Sequence, residues 1–406
     1  MTLFKISSVK YSDSPNIDAF GRLRVSQLTT QFDGKQIHDA LPLFYETETS
    51  GTGASAHSTT NAESTLTTAA NADRAIMQTK QRFNYSSGKS ALGIMTFRNF
   101  NPETNVAKRV GYFNSSTAAP YTASRDGFYL ETDDTDVSFV VAKNGTENTI
   151  ARTSWNIDVM DGTGVSGVDL DMQNEDGNLI WWFQYEWLGV GAITMGFVMN
   201  SQFYPAHRID HIGGDGVYMS SPNHSLRYEI MQSGAGSGTL RAICSTFSTE
   251  GTVDQIGKDG GISDDGTHLN ANNTANWYYA IGLQLNVNKL DTLVDVLGAE
   301  LKSDTNDDFE WRVCVNPTYA GTVTYNTITD YSVNYGLGAT ANTVSAFGHI
   351  LKAGYGVQAS LREFDLKTAI RLGASLDGTS DEIVLAVKPH TSNLDIHRAM
   401  NWRELT

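Results

Sequence analysis

Apolar and polar residues alternate with a period of two over much of this chain. The strongest block is "LIWWFQYEWLGVGAITMGFVM", residues 179–199. Leu179, Trp181, Phe183, Tyr185 and Trp187 fall on one face of an extended run. Ile180, Trp182, Gln184 and Glu186 fall on the other, which turns polar halfway along. Gly189 and Gly191 permit a tight reversal. Ile193, Met195, Phe197 and Met199 then share one face of the return run, so the block predicts a central hairpin of a β-sandwich. Upstream, "QTKQRFNY", "SSGKS" and "ALGIMTFRNF" read as a hairpin, followed by short strands in "KRVGYFN", "DGFYLETDD", "VSFVVAKNG" and "NTIARTSWN". Residues 50–73 are small and polar and predict a strand pair with a loop. In "SLRYEIM", Leu226, Tyr228 and Ile230 face opposite to Arg227 and Glu229, and "TLRAICSTFSTEG" closes the domain.

A second set of strands begins at "NWYYAIGLQLNV" and includes "DDFEWRVCVNP" and "TSDEIVLAVKPH". "LDTLVDVLGAEL" fits a short helix or a strand, and periodicity does not decide between them. The chain thus reads as all-β, with two jelly-roll-like β-sandwich domains and an extended N-terminal arm. The expected divisions are an arm over 1–35, a large sandwich over 36–252, a Gly/Asp/Asn-rich linker or loop over 253–275, and a second sandwich over 276–406.

Composition supports this picture. Gly occurs 37 times and Pro 8 times in 406 residues, and aromatics are spread throughout. The net charge of −16, with no basic run to offset it, opposes direct binding to nucleic acid. Cys244 and Cys314 each lie in a strand-like run and predict two buried free thiols rather than a disulfide. "MTLFKISSVK" has no apolar core of a signal peptide, and no apolar run is long enough for a membrane helix. Synthesis in a cytoplasm, without membrane insertion, is the expectation.

Candidate chemistry is sparse. "HRIDHIGGDG" gathers His207, Asp210 and His211; flanking β patterns and three glycines favour a polar loop over a helical metal site. "DTNDD", 304–308, spaces oxygens at Asp304, Asn306 and Asp308 as a calcium loop does, but lacks the required Gly and Glu and reads as a charged turn. Residues 161–178 are also oxygen-rich. Calcium is therefore the one cofactor left open. Glu186, between Tyr185 and Trp187, is the one carboxylate placed as a glycosidase acid would be, with no partner identifiable. A sugar-binding face would draw on Trp182 and Glu186, with Trp181 and Trp187 beside them, although core packing explains most of these rings. No nucleophile-elbow, phosphate-loop, dinucleotide or zinc-protease motif occurs.

Taken in order, several segments resemble a family of virion structural proteins of tailed bacteriophages. They are "DAFGRLRVSQLTTQFDGKQ", "DGTGVSGVDLD", "YEWLGVGAITMGFV", "VYMSSPNHSLRYEI" and "LRAICSTFSTEG", with "AMNWREL" near the end. The resemblance runs from residue 18 to about 251 and returns weakly over 379–405. It implies a non-enzymatic assembly role in a virion, most simply at the tail or neck, with capsid decoration or a head fibre as the alternative. Partners would be copies of the same chain, in a ring or trimer, and other virion proteins. Phe20, Arg22, Leu23 and Arg24 would dock the arm on an acidic neighbour, since Arg bonds carboxylates bidentately. From another class, a host glycan- or receptor-binding fibre module fits the aromatic content, and a glycan hydrolase is the third reading.

Overall fold

The computed structural model describes Asp18 and residues 26–170, 177–187, 191–211, 216–252, 256–305, 307–357, 361–365 and 371–405. The arm residues Phe20, Arg22, Leu23 and Arg24 lie outside the described residues. The described chain is all-β, with one 3-10 turn at Arg152–Ser154 and no α-helix. It divides into two compact units. The first runs to residue 254, apart from Lys80–Asn84 and Thr117–Ala119, which belong with 255–406 in the second.

The first unit holds two antiparallel sheets. One runs β13 (Gln202–Asp210), β12 (Ala192–Met199), β11 (Asn178–Tyr185), β6 (Ala91–Arg98), β15 (Gly238–Glu250), β4 (Glu63–Thr68), β3 (Ala54–Ser58), with β1 (Leu28–Lys35) also on β15. The other runs β10 (Thr146–Ala151), β9 (Val137–Lys143), β8 (Asp126–Thr132), β7 (Val106–Asn114), β14 (Leu226–Gln232), β5 (Arg74–Thr79), β2 (Tyr45–Ser50). Alternation sends Phe183, Tyr185 and Phe247 of the first sheet toward Tyr112 and Phe128 of the second. Tyr112 stacks on Phe247 at 5.1 Å, and Phe128 meets Phe183 edge-on at 5.0 Å. These rings fill the core of a sandwich, each large buried side chain contributing about 1.5–3 kcal/mol.

The second unit repeats the plan. One sheet runs β16 (Gly257–Ser263), β28 (Leu394–Leu405), β19 (Leu293–Ser303), β26 (Leu361–Asp365), with β17 (Leu269–Ala271) also on β28. The other runs β21 (Thr318–Tyr319), β24 (Thr343–Ala346), β18 (Trp277–Leu285), β27 (Glu382–Pro389), β20 (Phe309–Val315), β25 (His349–Gly356). Two further strands, β22 (Tyr325–Thr327) and β23 (Val333–Leu337), join it through β18. Val296, Leu301, Met400 and Trp402 pack with Ile281, Val313 and Leu385 in one buried cluster.

Three expectations change and one open choice is settled. The segment expected as a linker, 253–275, contains β16 and β17, both paired to β28. β16 is held chiefly by main-chain pairing, with Ile262 against the core, while β17 also buries Leu269 and Ala271. Residues 28–35, expected in the arm, belong to the first sandwich, where they form β1, zipped along β15. The expected hairpin over 78–100 does not form. β5 and β6 lie in different sheets, because the intervening chain passes through Lys80–Asn84 of the second unit. The segment left between helix and strand is the strand β19.

Candidate functional site

An open groove of about 630 Å³ lies on the outer face of the first unit's eight-stranded sheet. Its construction follows from register. Met95, Phe97 and Trp181 point into the core, so Thr96, Arg98, Asn178 and Ile180 must point outward. Ile180 sits opposite Thr96, and Asn178 opposite Arg98. Val198 and Met199 extend the floor from β12, and Ile243 enters from the bulge where β15 slips against β6. Asn200 and Ser201 both have positive φ, as a two-residue hairpin turn between β12 and β13 requires, and this turn carries Asn200 to the rim.

The rim is polar and partly locked. Arg98 donates two hydrogen bonds to Glu63, at 2.7 and 2.8 Å, and Arg241 donates a third at 2.6 Å. Burial alone would raise the Glu63 carboxyl, but the two guanidiniums outweigh it and hold the group below the usual carboxylate range. The side-chain amides of Asn178 and Asn200 make no hydrogen bond among the described residues and remain available to a ligand. The result is a shallow aliphatic floor edged by amides, a carboxylate and a guanidinium.

The sequence-derived candidates fall elsewhere. Trp182 is the next outward residue after Ile180, yet it is fully buried over Gly196 with its ring 5.8 Å from Phe203. It presents no face to a sugar. None of the seven tryptophans is exposed. Glu186 is buried as well, with its Cγ in the space a side chain at Gly191 would need. Tyr218 donates to its backbone oxygen. The outer face of β11 is therefore covered where the sequence suggests exposure.

His207 and Asp210 lie on β13, not in a loop, and the trio does not converge. His207 accepts the Asn156 amide at Nδ1 (3.0 Å), Asp210 takes Arg208 (2.6 Å), and His211 bonds the Gly216 carbonyl (2.8 Å). Burial lowers the pKa of His207. In the oxygen-rich stretch, Asp161 is occupied by the backbone and hydroxyl of Thr163, and just before it Asp158 accepts from the amides of Met160 and Ser166. Residues 171–176 and Asn306 lie outside the described residues.

No protein-family model matches the chain, and no curated protein does. Among solved structures, the carbohydrate recognition domain of Emp47p is similar at 12% identity and a TM-score of 0.36, over 56% of this chain and 98% of that one. The exoplasmic/lumenal domain of VIP36, in a form bound to Ca2+ and Man3GlcNAc, gives 12% and 0.34 over 56% and 92%. A legume lectin-like domain from Entamoeba histolytica gives 11% and 0.33 over 55% and 98%. Similarities of this size assign no ligand to this chain.

Asn178 and Asn200 were not legible as site residues. In sequence they are turn formers beside a hydrophobic block, and only the register of five strands sets them around one floor.

Proposed function

We propose that this chain is a non-catalytic saccharide-binding protein of a tailed-bacteriophage particle. The observation that carries the binding reading is the groove itself: the unpaired amides of Asn178 and Asn200 flank an aliphatic floor of Ile180 and Val198, beside the fixed Arg98–Glu63 pair. Sugar rings offer an apolar face and a rim of hydroxyls. An aliphatic floor takes the first, and the amides, with the Arg98 guanidinium that Glu63 fixes, take the second by hydrogen bonds. The particle location rests on the sequence resemblance, as does packing against copies of the same chain and other virion proteins.

The test is a glycan array followed by titration calorimetry on the full chain. Binding of a bacterial surface saccharide is expected, weakened about tenfold or more by Asn178→Ala and abolished by Ile180→Arg, with melting unchanged. That factor corresponds to about 1.4 kcal/mol, the scale of one good hydrogen bond. Absence of any bound saccharide, or binding indifferent to both substitutions, overturns the reading. Incubated polysaccharide should remain uncut. Mass spectrometry of purified particles, scaled to the major capsid protein, tests the location: hundreds of copies indicate a shell or tail covering, and about a dozen a neck ring or fibre set.

A further inference from the structure

The second unit brings together three side chains that the groove does not use. His268 precedes β17, Asp304 follows β19, and His397 lies on β28 between them. Register explains the meeting. Leu269 pairs with Ile396, so the preceding His268 falls beside His397, and Ser303 pairs with Ile396 from the other side, so Asp304 follows it to the same edge. One donor atom from each residue lies within 4.8 Å of the other two.

We propose that His268, Asp304 and His397 form a binding site for a divalent transition metal of the zinc class. His397 gives the main argument. Its Nε2 is 2.6 Å from Asp304 Oδ2, while its Nδ1 is 3.2 Å from both oxygens of Asp264. An imidazole between two carboxylates needs a positive centre on each nitrogen: a proton on both, or a proton on one and a metal on the other. Asp264 is buried and also takes the backbone amides of Gly266 and Arg398, so it is fixed. It holds Nδ1–H and turns Nε2 outward, the arrangement by which a carboxylate orients a metal-bound histidine. The outward side is accessible, with side-chain exposures of 47% at His268, 37% at Asp304 and 23% at His397.

The surroundings fit a dication. Asp395 lies 3.4 Å from His268 Nε2 and is itself held by Asn270 at 2.7 Å. Lys302 occupies the other oxygen of Asp304, at 2.7 Å, and leaves Oδ2 to the metal. The carboxylates of Asp304 and Asp395 face the site directly, with the Lys302 ammonium on Asp304, while Asp264 is paired with the buried Arg398 guanidinium at 4.0 Å. Two imidazoles and one carboxylate select zinc, nickel, cobalt or copper over calcium, which takes six or more oxygens. Zinc would bind these donors at about 2.0–2.2 Å and keep one position for water. Bound there, it would clip together β17, β28 and β19.

The test uses the full chain without a histidine tag, stripped with chelator and titrated with zinc chloride against a chromophoric competitor. One zinc per chain, no calcium binding, and a raised melting midpoint are expected. Asp304→Asn and His268→Gln, both on the exposed rim, should each weaken zinc about tenfold or more while the circular dichroism stays that of the parent. Asp264→Asn should weaken it without touching the metal. Zinc binding equal in the His268→Gln and Asp304→Asn proteins, or none in the parent, overturns the proposal. Saccharide binding by the first unit should be the same with and without zinc, so failure of either reading leaves the other standing.

Discussion

Arg227 donates a hydrogen bond to Glu229, two positions along the same strand, and both side chains are fully buried. They share the outer face of β14, where Arg109 and Arg125 also reach Glu229 at 2.7 and 3.2 Å. Glu131 and Glu147 pair with these two arginines in turn. Arg227 is further held by Ser115 and the Tyr121 carbonyl. Burial lowers the pKa of Arg227 against the pull of Glu229, yet a guanidinium stays charged at any working pH. Replacing Glu229 by Gln leaves three arginines short of one counter-charge. The expected cost is about 3–5 kcal/mol, read from urea unfolding followed by tryptophan fluorescence. Arg227→Met with Glu229→Leu should cost less than the sum of the two single replacements; a cost equal to that sum would mean the two residues are not coupled.

The same carboxylate makes the first unit sensitive to acid. Burial would raise the Glu229 pKa, but Arg227, Arg109 and Arg125 outweigh it and hold it at about 2, against an ordinary value of 4.5. A depressed folded-state pKa gives stability that is complete above the unfolded value and is lost as pH falls toward the folded one. The contribution is roughly 3 kcal/mol, disappearing between about pH 4.5 and pH 2. Asp126 and Glu63 are also held low and act in the same direction. Urea midpoints measured from pH 6 to pH 2.5 should fall in the parent and fall less in Glu229→Gln; parallel curves would contradict the assignment.

Phe183 lies across Gly93 of the neighbouring strand. A Cβ at that glycine would stand 2.0 Å from the ring, so the strand cannot carry any side chain there. Gly93→Ala must displace a ring at the centre of the core, at a cost of about 1–3 kcal/mol, measurable as a lowered urea midpoint. A neutral effect would show that Phe183 has another place to go.

Cys314 is buried on β20, and burial pushes its thiol up to about 12. It should resist Ellman's reagent at pH 8 until the second unit unfolds. Cys244 is only half-buried, contrary to the expectation of two buried thiols. Rapid native labelling of Cys314, read by peptide mapping, would contradict the packing around it.

The strands with apolar alternation were legible, and the hairpin over 179–199 appears as β11 and β12. Three kinds of feature were not. Polar residues on an alternating strand read as solvated, so Arg227 and Glu229 look like a wet face. A buried ion network and an exposed one have the same letters. Likewise "GKDGGIS" has no apolar face and reads as linker, yet it is β16 because β28 supplies its pairing. Gly260 is there because Trp402 covers it, a Cβ at that point standing 2.5 Å from the indole. The groove and the histidine cluster were invisible for a third reason: each depends on register between strands distant in the chain.

β28 also sets an order of events during synthesis. It pairs with β16, β17 and β19, and among the described residues β16 and β17 have no other partner. While a ribosome is still making the chain, those segments are without a template until residues 394–405 emerge. The five-stranded sheet therefore closes late, around its last-made strand, and so does the cluster containing His397. A chain halted before residue 394 would release an open second unit, and a cell could recognise it by that exposed edge.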